Sequence, residues 1–321
     1  MNITVITTGG TIASRADRSG AQVAGVPGDA LIDGICIRPG VSLQVRDVLS
    51  LNSAAMTLSD MDTVRSAVVD ALAEGADGVV VTHGTDTTEE TAFLVDLLHG
   101  DERPVVFTGA QRSADDPGSD GPANLRDALV VAGSANARGL GVLVVFDGAV
   151  HAARGTRKMH SLASSPFHDP DLGAVGRVVL GELVVDRRPL RPPVLLGGAG
   201  VGSVRVDIVA LYPGADATAL DAHVAGGARG LVLEAPGLGN TNAGVVAAVR
   251  RHVANGIVVL LSTRVQAGPV RAVYGGGGGG RDLVEAGAIP TGNLRPSQAR
   301  VQLAALLAAG AGRAAIRATF A

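Results

Sequence analysis

Two stretches of this sequence empty a β-branched run into a cluster of hydroxyls: ITVITTGGTIAS at 3–14 and VVVTHGTDTTEE at 79–90. Thr11 and Thr85 stand where a nucleophile would be useful, but a hydroxyl is weak until a base takes its proton. Lys158 can be that base once neutral, a state that burial favours over the ammonium. Asp86 can pair with Lys158 or hold a substrate ammonium. Gly9 and Gly10 let the backbone approach a ligand, and their amides can face a developing oxyanion. Each residue also has a reading without chemistry. Thr85 and Thr88 would cap a following helix, Asp86 would be a capping acid, Lys158 a solvated charge, and GGTIAS a tight turn.

The elements that must hold these groups alternate. An amphipathic helix with Ser59 as its N-cap carries Val64, Ala67, Val68, Ala71 and Leu72 on one face, and Gly75 closes it. GVVVT at 78–82 then reads as a buried strand, 88–98 as a helix and PVVFTG at 104–109 as a strand. A helix opening near Pro122 leads to the strand GVLVVFDG at 141–148. This order predicts an α/β fold with a mostly parallel sheet flanked by helices. Ligands bind beyond the carboxyl ends of such strands, so the clusters Thr7–Thr11, His83–Asp86, Gly109–Arg112 and the stretch after Phe146 up to Lys158 should share one edge. Pro- and Gly-rich sequence around 187–203 marks a linker. The expected division is a larger N-terminal α/β domain at 1–188, a linker at 189–203 and a smaller C-terminal α/β domain at 204–321. In the second domain, strands are expected at 204–214, 230–237 and 256–263, with helices at 243–255 and, last, 297–309. The run Gly275 to Gly280 reads as a mobile loop.

Composition narrows the classes. The 321 residues carry 27 basic and 30 acidic side chains, a formal net charge of −3, and 2% aromatics. Neither a basic nucleic-acid surface nor a base-stacking platform fits. The lone Cys36 reads as a small apolar filler, and no histidine spacing suggests a metal. G-x-G-x-x-G, the Walker cradle and the G-x-S-x-G elbow are all missing. No secretory leader and no apolar run of membrane-spanning length is visible, so cytoplasmic location without membrane attachment is the default expectation.

TTGGTIAS and VVVTHGTDTTEETA, together with PVVFTGAQRSADDPGSDGPANL, GNTNAG and NLRPSQARVQL, resemble the bacterial-type L-asparaginase family over nearly the whole chain. The resemblance implies hydrolysis of L-asparagine to L-aspartate and ammonia with no metal or organic cofactor. It further implies a homo-oligomer, dimer or tetramer, whose active sites are shared between subunits. Thr11 matches the family's first nucleophilic threonine, and Thr85, Asp86 and Lys158 its Thr-Asp-Lys group, with Asp86 also on the substrate α-ammonium. LNSAAMT at 51–57 places Ser53 on the α-carboxylate, Gly10 lines the substrate, and Asn242 resembles an asparagine offered across the dimer.

Three departures stand out. The loop RADRSGAQVAGVPGD at 15–29 has no tyrosine, where the family often has one, and Ala21 or Gln22 takes that place. Ala54 replaces the glutamine that commonly follows the binding serine. The family's intersubunit glutamate has no clear counterpart in GPVRAVYGGGGGG, where Tyr274 stands nearby. Since one acid-base partner typically contributes 10²–10⁴-fold of a much larger total, asparaginase chemistry is expected to persist, while Ala54 and the missing carboxylate would weaken binding, raising the Michaelis constant, or alter specificity. The glycine-rich segments 19–28 and 275–280 would act as gating loops. An alternative is a binding protein or sensor that keeps the asparagine or aspartate pocket without turnover. A tRNA-dependent amidase subunit shares the signatures but would need a further domain and a basic surface.

Overall fold

The computed structural model describes residues 1–35, 39–197 and 200–320. Cys36 and residues 198–199 of the expected linker lie outside the described residues. The chain divides into two compact units, Met1–Val194 and Leu195–Ala321, and the division falls within 189–203.

In the first unit β1 (Asn2–Gly9), buried beyond its first residue, runs into a 3-10 turn at Thr11–Ala13. The segment that follows forms a hairpin, β2 (Ser14–Ala16) pairing antiparallel with β3 (Gln22–Ala24), and α1 (Gly28–Ile32) comes next. After β4 (Ser42–Leu51) comes α2 (Leu58–Ala73). Its N-cap is Thr57 and not Ser59. Thr57 Oγ1 accepts from the Asp60 amide at 3.2 Å, and Asp60 accepts from the Thr57 amide at 2.8 Å. This reciprocal box satisfies donors that Ser59, already inside the first turn, cannot reach. Gly75, at φ 99°, lies just past the helix end.

β5 (Gly78–Thr82), α3 (Thr88–Leu98), β6 (Val105–Thr108), α4 (Gly121–Ala132) and β7 (Val142–Phe146) repeat strand and helix. Asp147 and Gly148 then take φ of 49° and 73°, a two-residue turn that folds β8 (Ala149–Ala152) back on β7. A hairpin of β9 (Arg157–Lys158) and β10 (Phe167–His168) precedes β11 (Gly176–Val179) and β12 (Glu182–Val185), joined through Leu180 and Gly181 at φ 51° and 75°. The eight-stranded sheet runs β12-β11-β8-β7-β6-β5-β1-β4. From β4 to β7 it is parallel; β8, β11 and β12 extend it antiparallel.

Alternate residues of the parallel strands feed two layers. Val5, Val80, Val106 and Leu143 pack with Leu125, Ala128 and Leu129 of α4. Ile6, Val81, Phe107 and Val144 pack with Val64 and Val68 of α2 and with Ala92 and Val95 of α3. Burial on both faces is why these strands read as unbroken apolar runs. Thr7, Thr82 and Thr108 share one rung across β1, β5 and β6, so the turns that follow all leave from the same edge.

The second unit contains β13 (Val206–Ala210), α5 (Thr218–Ala225), β14 (Gly230–Ala235), α6 (Ala243–Ala254), β15 (Val258–Thr263), α7 (Gly280–Glu285), β16 (Ile289–Pro290), α8 (Pro296–Ala308) and α9 (Arg313–Thr319). Its sheet, β13-β14-β15-β16, is parallel throughout. The helix expected to be last is α8. The shorter α9 follows it, burying only Ile316, too little apolar pattern to read from the sequence.

The glycine run is built into the fold and does not form a loose loop. Thr241 donates its amide to the Gly278 carbonyl at 2.7 Å, and the Gly277 and Gly279 amides donate to Asp282 at 2.8 Å. Gly280, the first residue of α7, donates to Asn240 Oδ1 at 3.2 Å. A Cβ on Gly278 would stand 2.6 Å from the Thr241 carbonyl, and one on Gly279 would overlap the Tyr274 carbonyl. Glycine is required here for close backbone approach. Gly279→Ala should therefore cost about 1–3 kcal/mol in urea unfolding, while Gly275→Ala, whose Cβ meets only ordinary contact, should stay within about 0.5 kcal/mol.

Candidate active site

Three turns at the strand edge meet where side chains are absent. Gly9 and Gly10 both take positive φ, 93° and 76°. A Cβ on Gly10 would lie 2.5 Å from the Gly84 amide nitrogen, and one on Gly84 the same distance from Ser53 Oγ. The turns after β1, β4 and β5 thus close on one another. Between them lies a pocket of about 100 Å³ lined by Gly10, Thr11, Ser53, Thr85, Asp86 and, from β3, Gln22. A larger groove of about 260 Å³ lies among the carboxyl-terminal parts of α2 and α3, and holds none of these groups.

The hydroxyl-rich stretch after β5 divides its labour. Thr88 Oγ1 donates to the Gly84 carbonyl at 2.8 Å, and Thr87 Oγ1 donates to the Ser53 carbonyl at 2.9 Å. His83 is fully buried, with Nδ1 2.8 Å from the same Gly84 carbonyl. Burial drives its pKa down to about 4, so near neutral pH the ring is uncharged and serves as a pin on the turn. Thr85 and Asp86 are left facing the pocket. Neither caps α3, whose N-cap is Thr87.

Thr85 is 5% exposed and its hydroxyl is held from two sides. Lys158 Nζ donates to Thr85 Oγ1 at 2.8 Å and to Asp86 Oδ1 at 2.7 Å, while Thr85 donates to Gln111 Oε1 at 3.1 Å. The Lys158 side chain is 18% exposed, so it is not the solvated charge that the bland reading required. Its own amide donates to Glu89 at 2.6 Å, fixing β9 against α3. Thr11 is different. It lines the same pocket, and among the described residues its hydroxyl has no hydrogen-bond partner.

One expectation fails on inspection. The Gly10 amide donates to the Leu51 carbonyl at 3.0 Å and is spent on the sheet edge, so it does not face an oxyanion. Gly10 lines the pocket, and its missing Cβ is what lets Gly84 come this close. Asn242 sits in the second unit as N-cap of α6. It accepts from the Val245 amide at 3.1 Å and donates to the Ala215 carbonyl at 2.7 Å. A carboxamide has two donors and two acceptor positions, so half of its capacity remains. Ala54 is exposed, with its amide tied to Asn52 Oδ1 at 3.1 Å. Sequence reasoning did not single out Gln111, Ser14 or Asn52. Gln111 had a signal, because it follows β6 in the same position as Thr85 after β5. Among the described residues no three His, Cys, Asp or Glu side chains are grouped to hold a metal, and no helix is long and apolar enough to cross a membrane.

Comparison with known proteins converges on one family. The model for the N-terminal domain of asparaginase matches residues 2–191, and that for the glutaminase/asparaginase C-terminal domain matches 205–320. A protein of Deinococcus radiodurans named probable L-asparaginase is 38% identical over 99% of this chain and 96% of its own. The L-asparaginase of Bacillus licheniformis is 33% identical over 95% of each chain. A crystal structure of a probable cytoplasmic L-asparaginase from Campylobacter jejuni superposes with a TM-score of 0.88 at 28% identity, covering 99% of this chain and 98% of that one.

The buried rings set an acid limit on the fold. His151, on β8, is 3% exposed, neither ring nitrogen has a partner among the described residues, and burial lowers its pKa to about 4 as for His83. The unfolded chain takes up these protons near pH 6.5, the folded chain only near 4. In between, the unfolded state binds more protons, so stability falls as pH drops through that window, by up to about 3 kcal/mol per ring. Urea midpoints measured across it should fall, and His151→Phe should flatten the fall.

Proposed function

The chain belongs to the asparaginase family and is an amidohydrolase, and from that premise we propose that it converts L-asparagine to L-aspartate and ammonia with Thr11 as the attacking hydroxyl. The observation that carries this assignment is the asymmetry of the two threonines. Thr85 is held between Lys158 and Gln111, whereas Thr11 faces the pocket without a partner among the described residues. A hydroxyl free to turn suits attack; a hydroxyl fixed against an amine suits proton relay.

Thr11 Oγ adds to the side-chain amide carbon of asparagine. The C–N bond breaks, ammonia departs with the proton lost by Thr11, and an ester joins the aspartyl group to Thr11. Water then adds to that ester, the Thr11 hydroxyl is restored, and aspartate leaves. Thr85 and Lys158 pass protons in both halves, and Asp86, within 2.7 Å of Lys158 Nζ, holds the amine and meets the substrate α-ammonium. Ser53, which lines the pocket, takes the α-carboxylate, with Gly10 and Gly84 letting the three turns close tightly enough to bring Ser53 beside Thr11 and Thr85. The small pocket supports a small-molecule amide as substrate.

The reading extends to a cytoplasmic homo-oligomer, dimer or tetramer, in which a second copy contributes Asn242 through the part of its carboxamide that local bonds leave over. The cytoplasmic neighbour from Campylobacter jejuni supports the location.

The test is ammonia release from L-asparagine by purified protein, carried to high substrate concentration. Thr11→Ala and Thr85→Ala should each lower kcat by about 10²–10⁴-fold or more, and Lys158→Met by a similar factor. Wild-type turnover in both threonine variants would overturn the assignment. Saturable aspartate binding with no ammonia from the wild-type protein would favour the sensor reading.

A further inference from the structure

Gln111 joins three segments that the reaction needs in register, and so far it has served only as the acceptor that holds the Thr85 hydroxyl. Its backbone is fastened by Asp120, whose carboxylate accepts the Gln111 amide at 3.0 Å and the Arg112 amide at 2.9 Å. Its side-chain nitrogen donates to the carbonyls of Ala163 at 3.1 Å and Ser161 at 3.3 Å, in the loop between β9 and β10. That loop is itself ordered, since His160 Nδ1 accepts the Leu162 and Ala163 amides at 3.0 and 2.9 Å. The same hairpin carries Lys158 on β9.

Two carbonyls on the nitrogen side fix which way the carboxamide faces. A carbonyl cannot donate, so Nε2 must point at Ser161 and Ala163, and Oε1 at Thr85. Oε1 only accepts, so the Thr85 proton is directed at Gln111 and Lys158 must donate to Thr85. The result is a chain with one sense, Lys158 to Thr85 to Gln111, at 2.8 and 3.1 Å. We propose that Gln111 is a positioning residue that sets the rotamer and proton direction of the Thr85 hydroxyl and ties it to the hairpin bearing Lys158. The proposal rests on Thr85 acting as the proton relay. This arrangement leaves one unshared pair on the hydroxyl of Thr85, a residue that lines the pocket, free to receive a proton from substrate or water. For transfer the Thr85 hydroxyl turns from Gln111 and the neutral Lys158 amine turns its lone pair toward it, so that Thr85 Oγ1 takes the incoming proton as its own passes to Lys158.

Gln111→Met keeps length and removes both sets of bonds; Gln111→Glu keeps an acceptor for Thr85 and adds charge one hydroxyl away from Lys158. Ammonia release from asparagine is measured for both variants across pH, beside Thr85→Ala. Gln111→Met should lower kcat on the order of 10-fold with KM within about twofold, a loss confined to steps after binding. In Gln111→Glu the acid limb of the kcat profile should move to higher pH, because the added carboxylate favours the ammonium of Lys158 over the amine that must accept the proton. If Gln111→Met does not fold, the Gln111→Glu profile decides alone. A Gln111→Met kcat within about twofold of wild type, or a Gln111→Glu profile that superimposes on wild type, overturns the proposal while Thr85→Ala remains inactive. Full activity in Thr85→Ala would instead overturn the relay reading beneath it.

Discussion

A Cβ on Gly10 would meet the Gly84 backbone at 2.5 Å, and a Cβ on Gly84 would meet Ser53 Oγ at 2.5 Å. The turns after three parallel strands are joined through this contact, glycine to glycine to serine. It works because Thr7 of β1 lies opposite Thr82, the last residue of β5, and because the Gly10 amide is anchored to Leu51 at the end of β4. With side chains excluded from the junction, Thr11, Ser53 and Thr85 can line one small pocket. Preorganisation of this kind is where an enzyme gains most, since donors and acceptors already in place need not reorganise during reaction.

Around that junction the polar groups fall into two sets. His83, Thr87 and Thr88 spend their hydrogen bonds on the carbonyls of Gly84 and Ser53 and hold the turn still. Thr85, Asp86 and Lys158 bond to one another and face the pocket. The most conspicuous titratable residue of the motif, His83, holds the turn, and its ring, 0% exposed, has no surface open to the pocket. Lys158 reaches the site from a two-stranded hairpin far along the chain, and its position depends on Glu89 and on the Gln111 carboxamide.

Much of this was legible in the sequence, for physical reasons. Strands buried on both faces leave unbroken apolar runs, and the rule that ligands sit beyond the carboxyl ends of parallel strands brings Thr11, Thr85, Asp86 and Lys158 to one edge before any coordinates exist. What was hidden depended on long-range partners. Gln111 is defined by Ser161 and Ala163, some fifty residues on, and the Gly10 amide by Leu51. The glycine run reads as a mobile loop because composition cannot reveal how closely the Thr241 and Tyr274 carbonyls approach it. Asp147 and Gly148 read as the end of the strand at 141–148, but their positive φ makes them the hairpin turn from which the antiparallel edge of the sheet begins.

The central claim is that Thr11 forms the covalent bond and Thr85 moves protons. Rapid acid quench of the protein turning over asparagine, followed by peptide mass spectrometry, tests it most directly. The account predicts an aspartyl ester on the peptide containing Thr11, absent from Thr11→Ala. An ester on the peptide containing Thr85, or steady turnover with no ester at any quench time, would contradict it.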